Sequence, residues 1–202
     1  MTTTDSAIAR IKPDHEARET VRSWSMVALA LFILNLVAYV GFSVAGGIFF
    51  AISDALALLL AAAMVPVITG MAGVLESERL SPWVTRTGLA GAGIIGVGAL
   101  VLLTSEAGHE FVPASGGLGL QFVGFALIGV WLVGSARSTA PTSRFSRRTV
   151  WSAHVAGVGF AVGVLALPLG PESIVVALAA MLSFFGFVIW TLSLRNDLSG
   201  DR

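Results

Sequence analysis

The sequence predicts an all-α integral membrane protein, a bundle of six transmembrane helices with both termini cytoplasmic. Three observations carry this. Of 202 residues, 55% are hydrophobic and 12% charged, and the mean hydropathy is +0.87, so there is too little polar surface to cover a soluble globule of this size. Apolar runs fall at about 26–45, 48–75, 88–104, 118–136, 150–169 and 173–194, each near the length a membrane-crossing helix needs. Finally, all twelve Lys and Arg residues lie in alternate connections. The expected organisation is a cytoplasmic segment 1–24, a single transmembrane domain 25–196 and a cytoplasmic tail 197–202.

The basic residues set the orientation. Arg10, Lys12, Arg18 and Arg22 precede the first span; Arg79 and Arg86 follow the second; Arg137, Arg144, Arg147 and Arg148 follow the fourth; Arg195 and Arg202 follow the sixth. The connections near 46, 105–117 and 170–172 contain none. The positive-inside rule therefore places both termini in the cytoplasm and the protein in the cell membrane as a multi-pass chain. Trp24, Trp83, Trp151 and Trp190 fall near the same boundary, with Trp131 in the inner half of span four, as expected of indole rings at headgroup depth.

Taken in order, the leader reads as a short surface helix: Pro13, Asp14 and Glu16 precede Arg18 and Arg22, the charge order a helix dipole prefers. Ser43-Val44-Ala45 has the form of a signal-cleavage site, but the preceding apolar run is longer than a signal core and the leader carries mixed charge, so the first span is expected to remain. Span two is the longest run. As one helix it would extend about 42 Å against a hydrocarbon core of roughly 30 Å, and Pro66 is the expected kink. Ser81-Pro82 marks a solvated turn. In span three, Gly88, Ala92 and Gly96 lie four apart on one face suited to close helix contact. The letters GxGxxG at 91–96 sit inside a span with no preceding strand and are not a nucleotide loop. Gly124, Gly129 and Gly134 of span four are five apart and drift around the helix instead of marking one seam. Span five has Gly159 and Gly163 in GxxxG spacing and ends at Pro168. Span six offers Ser183 and Gly186 as packing points.

Candidate functional residues are few. Asp54 is the single Asp, Glu, Lys or Arg within the six apolar runs, and an acid at such a depth is costly and often functional. Its helical neighbours Phe50, Ala51, Ala57, Leu58 and Ala61 form a face built largely of alanine, so burial against protein is expected, with a polar partner from span one (Asn35) or span four (Gln121). The competing reading is that Ser53 and Asp54 cap a helix that starts late. His154 lies towards the opposite side of the membrane from Asp54 and is not expected to meet it. Glu106, His109 and Glu110 share an outer loop, but three such groups without a second histidine make a poor metal site, and none is expected. Zero cysteines exclude thiolate nucleophiles and cysteine-ligated metals. No paired carboxylates, histidine-rich motif or nucleophile elbow occurs in the spans, so no enzyme activity and no cofactor are expected.

Ser53-Asp54 entering a long second span, Pro66 ending its leucine/alanine-rich stretch, Gly129-Val130-Trp131 in the fourth span, and the closing stretch from Trp190 to Arg195 resemble an uncharacterised family of small six-helix integral membrane proteins from bacteria and archaea. The resemblance spans residues 25–196 and implies a six-helix bundle without implying an activity. The expected function is that of a structural or regulatory membrane component acting through helix–helix or lipid contacts. A membrane-protein partner or homo-oligomer, and anionic headgroups at Arg144, Arg147 and Arg148, are the expected partners, with no nucleic acid. The alternative is a small proton- or cation-coupled transporter using Asp54, with Asn35 and Gln121 beside it.

Overall fold

Long uninterrupted apolar stretches, rich in Leu, Ala and Val, leave the backbone no partner but itself in lipid, so each becomes a helix. In the computed structural model, which describes residues 3–45, 48–75, 80–106, 114–139, 145–170 and 173–199, these are α1 (Thr3–Ala45), α2 (Ile48–Val74), α3 (Pro82–Glu106), α4 (Ala114–Thr139), α5 (Arg147–Ala166) and α6 (Ile174–Ser199). All six are long and apolar enough to cross a membrane. The expectations at Arg79, His109, Glu110, Arg144 and Arg202 lie outside the described residues.

Polar and capping residues carry α1, α3, α4 and α6 beyond their apolar runs and start α5 ahead of its run. Pro82 occupies the first position of α3, where a missing N–H costs nothing, and Ser81 O accepts the Val84 N–H at 2.9 Å. Ser146 is the N-cap of α5. Leu167–Leu169, containing Pro168, tightens into a 3-10 turn, and Gly170 at φ 86° supplies the left-handed residue needed to leave it. Within α2 the helix continues through Pro66 from Ile48 to Val74.

α1 is one helix of 43 residues, about 65 Å long, in which the polar leader and the first span are continuous. The packed part begins before the apolar run: Val21 is fully buried, and Gly70 of α2 accommodates Val21, Ala17 and Thr20, leaving no space for a Cβ.

Each helix packs on the next in sequence, and α6 returns to α1, closing a ring of six antiparallel neighbours. Both termini therefore share one end of the bundle, called here the terminal end. Two kinds of contact hold the ring. Small residues bring neighbouring backbones together: Gly91 and Gly98 of α3 against Gly124 and Gly117 of α4, Gly129 of α4 against Gly157 of α5, and Gly159 and Ala156 of α5 against Ser183 and Gly186 of α6. Gly88, Ala92 and Gly96 lie on a neighbouring face, with Gly88 beneath Trp131 and Gly96 in ordinary contact with Leu58 and Ala61 of α2. Gly163 is similarly in ordinary contact with Ala179. The backbone-to-backbone approach of α3 and α4 thus falls on the seven-residue pair Gly91 and Gly98, while Gly88 of the four-residue series is equally tight against the Trp131 ring.

Large aromatics fill the middle and make the sparser α1–α6 closure. Phe32 of α1 lies 4.9 Å from Phe187 and 6.0 Å from Phe184 of α6, and 6.2 Å from Phe160 of α5, centroid to centroid. Phe160 stacks on Phe125 of α4 at 5.5 Å. Phe187 leads to Trp190, and Trp190 meets Trp131 edge to face at 5.9 Å. Trp131 and Trp190 are 0% and 3% exposed, so both belong to the core and not to a headgroup belt. Trp24, Trp83 and Trp151 are the exposed indoles. Outward positions such as Leu34, Val37, Leu59, Val97 and Leu165 are exposed and apolar, a surface that suits lipid and would aggregate in water.

Candidate functional site

Asn35, Ser53, Asp54 and Gln121 gather towards the end of the bundle opposite the termini. Asp54 is the seventh residue of α2, beyond the first-turn amides a side chain can cap. It is 4% exposed, with Ala57 and Ala61 buried on the same face. Ser53 and Asp54 are therefore interior residues of the helix, and capping is not their role.

Gln121, the eighth residue of α4, donates from Nε2 to Asp54 Oδ1 at 3.0 Å. The bond joins α2 to α4 across α3, which lies between them in the ring. Gly98 of α3 makes the crossing possible: a Cβ there would fall 2.9 Å from both Cγ and N of Gln121. Asn35 of α1 bonds to the neighbouring Ser53. Its Nδ2 donates to the backbone oxygen of Ser53 at 2.6 Å and to Ser53 Oγ at 3.3 Å. The outcome is two adjacent polar clasps on consecutive residues of α2, one to α1 and one to α4. Interhelical bonds of this kind contribute about 0.6 kcal/mol on average and up to about 1.7, while an uncompensated aspartate near a helix centre costs about 2.5–3.5 kcal/mol. The clasp offsets part of that cost and fixes the relative height of three helices. An amide donor can also serve a carboxyl group in either protonation state.

His154 stands apart from this cluster. Its Nδ1 lies 2.8 Å from Val150 O within α5, and because a carbonyl only accepts, the proton must be on Nδ1. Other buried hydroxyls also bond to carbonyls of their own helix: Thr191 to Phe187, Ser183 to Ala179 and Thr139 to Ala136, the usual way to satisfy a hydroxyl in an apolar bundle.

A second polar cluster, at the terminal end, had no sequence signal beyond the serine and threonine content of the 137–149 connection. Asp197 Oδ2 accepts from the Ser146 N–H at 2.6 Å and from Thr149 Oγ1 at 2.7 Å. Ser146 Oγ in turn accepts the Thr149 N–H at 3.3 Å. A carboxylate from the end of α6 thus sits on the N-terminus of α5, where exposed amides and the helix dipole favour negative charge. One further pair is exceptional: Trp131 Nε1 and Ser135 Oγ, one turn apart on α4, are buried with no hydrogen-bond partner among the described residues.

On the membrane-facing side, α5 and α6 leave an open apolar groove of about 590 Å³ with Arg148 and Trp151 at its terminal end. No protein-family model matches the chain, and no curated protein or solved structure matches it.

Proposed function

We propose that this chain is a structural or regulatory component of the cell membrane, with both termini cytoplasmic, that acts through its helix surfaces and its lipid contacts. The observation that carries the reading is the filled interior. Phe32, Phe125, Phe160, Phe187, Trp131 and Trp190, drawn from four helices, meet in one continuous aromatic network. Close-packed aromatics favour a rigid body over a moving pathway. The alternating distribution of basic residues supports the orientation.

One observation favours a second reading, a proton- or cation-coupled transporter. Asp54 is a buried acid held by an amide from another helix, the kind of group that binds coupling ions in membranes. Proteoliposome flux decides between the two. The structural reading expects no proton or monovalent-cation flux above that of protein-free vesicles, and Asp54→Asn to fold with the wild-type oligomeric state. Flux in the wild type that Asp54→Asn abolishes without loss of folding would overturn it in favour of transport.

A further inference from the structure

The groove between α5 and α6 has the polarity profile of a phospholipid. Arg148, Trp151, Ser152 and Val155 line it from α5 at helical spacing, and residues from Leu178 to Ile189 line it from α6. At 1.5 Å per residue the α6 wall is about 16 Å long. Gly186 and Ser152 contribute little bulk to its floor, and behind Gly186 the backbones of α5 and α6 already touch at Ala156. Leu178, Leu182 and Phe185 stand exposed along it.

The charge is confined to one end. Arg148 is exposed, and no carboxylate forms an ion pair with it among the described residues. The other polar lining group, the Ser152 hydroxyl, is engaged by Arg148 O at 2.7 Å and Thr149 O at 3.1 Å. The nearby Asp197 carboxylate is held by Ser146 and Thr149, and Thr149 faces inward where Arg148 faces out. Arg147, also exposed, adds positive charge to the same turn. Trp151, 70% exposed, lines the same groove about one turn along α5 from Arg148, as an indole at headgroup depth would. A guanidinium recognises a phosphate by charge and paired N–H donors, and a long apolar slot below it accepts a hydrocarbon chain.

We propose that this groove is a binding site for one anionic phospholipid, its phosphate on Arg148 and one acyl chain along Leu182 and Phe185. The inference deepens the lipid-contact part of the proposed function and is independent of the Asp54 clasp and of which side of the membrane the termini face.

The test uses Trp151 as the reporter. In the full chain carrying Trp24→Phe and Trp83→Phe, Trp151 is the one exposed tryptophan, since Trp131 and Trp190 are buried. The protein is reconstituted in phosphatidylcholine nanodiscs containing increasing fractions of chain-brominated phosphatidylglycerol or chain-brominated phosphatidylcholine. Half-maximal quenching is expected at about fivefold lower mole fraction of the anionic lipid, the factor one basic residue near a membrane surface provides. Arg148→Gln should erase that preference, Arg148→Lys should retain most of it, and Arg86→Gln, an exposed arginine of α3 outside the groove, should leave it unchanged. Preference that survives Arg148→Gln, or falls equally with Arg86→Gln, would overturn the site in favour of a diffuse surface potential. Equal quenching by both lipids would overturn it as well, as would a dimer in native mass spectrometry with Trp151 shielded from both, which would assign the groove to a second copy. Each of these failures would leave the flux result, and the reading that rests on it, standing.

Discussion

Gly98→Ala is expected to damage both the fold and the polar clasp, by an amount the structure allows to be worked out. The new Cβ would lie 2.7 Å from Gly117 O and 2.9 Å from Gln121 N and Cγ, whereas ordinary contact begins at 3.4 Å. The α3–α4 seam must therefore open by about 0.5–0.7 Å, because two of the three obstructing atoms are backbone and cannot rotate away. Overpacking of this kind costs about 1–3 kcal/mol, and a gap of that size forfeits a quarter to a half of each dispersion contact it widens. Alanine also gains about 1 kcal/mol of helix propensity over glycine. Gly93→Ala supplies the control that cancels this gain, since Gly93 is in the same helix with nothing within 4 Å of its Cβ direction. The assay is reversible unfolding in mixed detergent micelles, followed by the fluorescence of the buried Trp131–Trp190 pair. Gly98→Ala should be less stable than Gly93→Ala by about 1–3 kcal/mol. Equal stability of the two variants would refute the seam, and with it the account of how Gln121 reaches Asp54.

At the terminal end, Asp197→Ala removes the acceptor of two hydrogen bonds and should cost about 1.5–3 kcal/mol, with faster amide exchange at residues 147–150; unchanged exchange there would contradict the anchoring role. Ser135→Ala deletes a buried hydroxyl that has no partner among the described residues, so stability should hold or rise by up to about 1 kcal/mol, and a loss larger than that would show that the hydroxyl is satisfied. For orientation, Ser115→Cys and Ser143→Cys in this cysteine-free chain provide two single thiols. An impermeant reagent applied to intact cells should label the first and not the second, and the reverse pattern would invert the topology.

The class of fold, the number of spans and the segments that form them were legible in the chain, because a backbone in lipid must satisfy its own hydrogen bonds and each span therefore has to announce itself as a local, contiguous apolar run. The sequence also singled out Asp54, whose charge type occurs nowhere else in those runs. Partners were another matter. Gln121 and Asn35 were both candidates for Asp54, and only the order of helices around the ring, with Gly98 clearing the path, gave Gln121 to Asp54 and Asn35 to Ser53. The glycine series at four-residue spacing suggested one seam of α3; its Gly88 does lie tight against Trp131 of α4, but the backbone-to-backbone approach to α4 fell on Gly91 and Gly98, because which stripe of a nearly all-apolar helix faces a neighbour is set by that neighbour, since lipid and protein accept the same side chains. For the same reason Trp190 and Trp131 looked like interfacial residues and are core. The Asp197 anchor of α5 joins residues 48 and 51 positions apart, and no local pattern encodes it. Rotation and pairing came from the packed bundle alone, because in hydrocarbon polarity no longer distinguishes inside from outside, and shape complementarity between distant segments does.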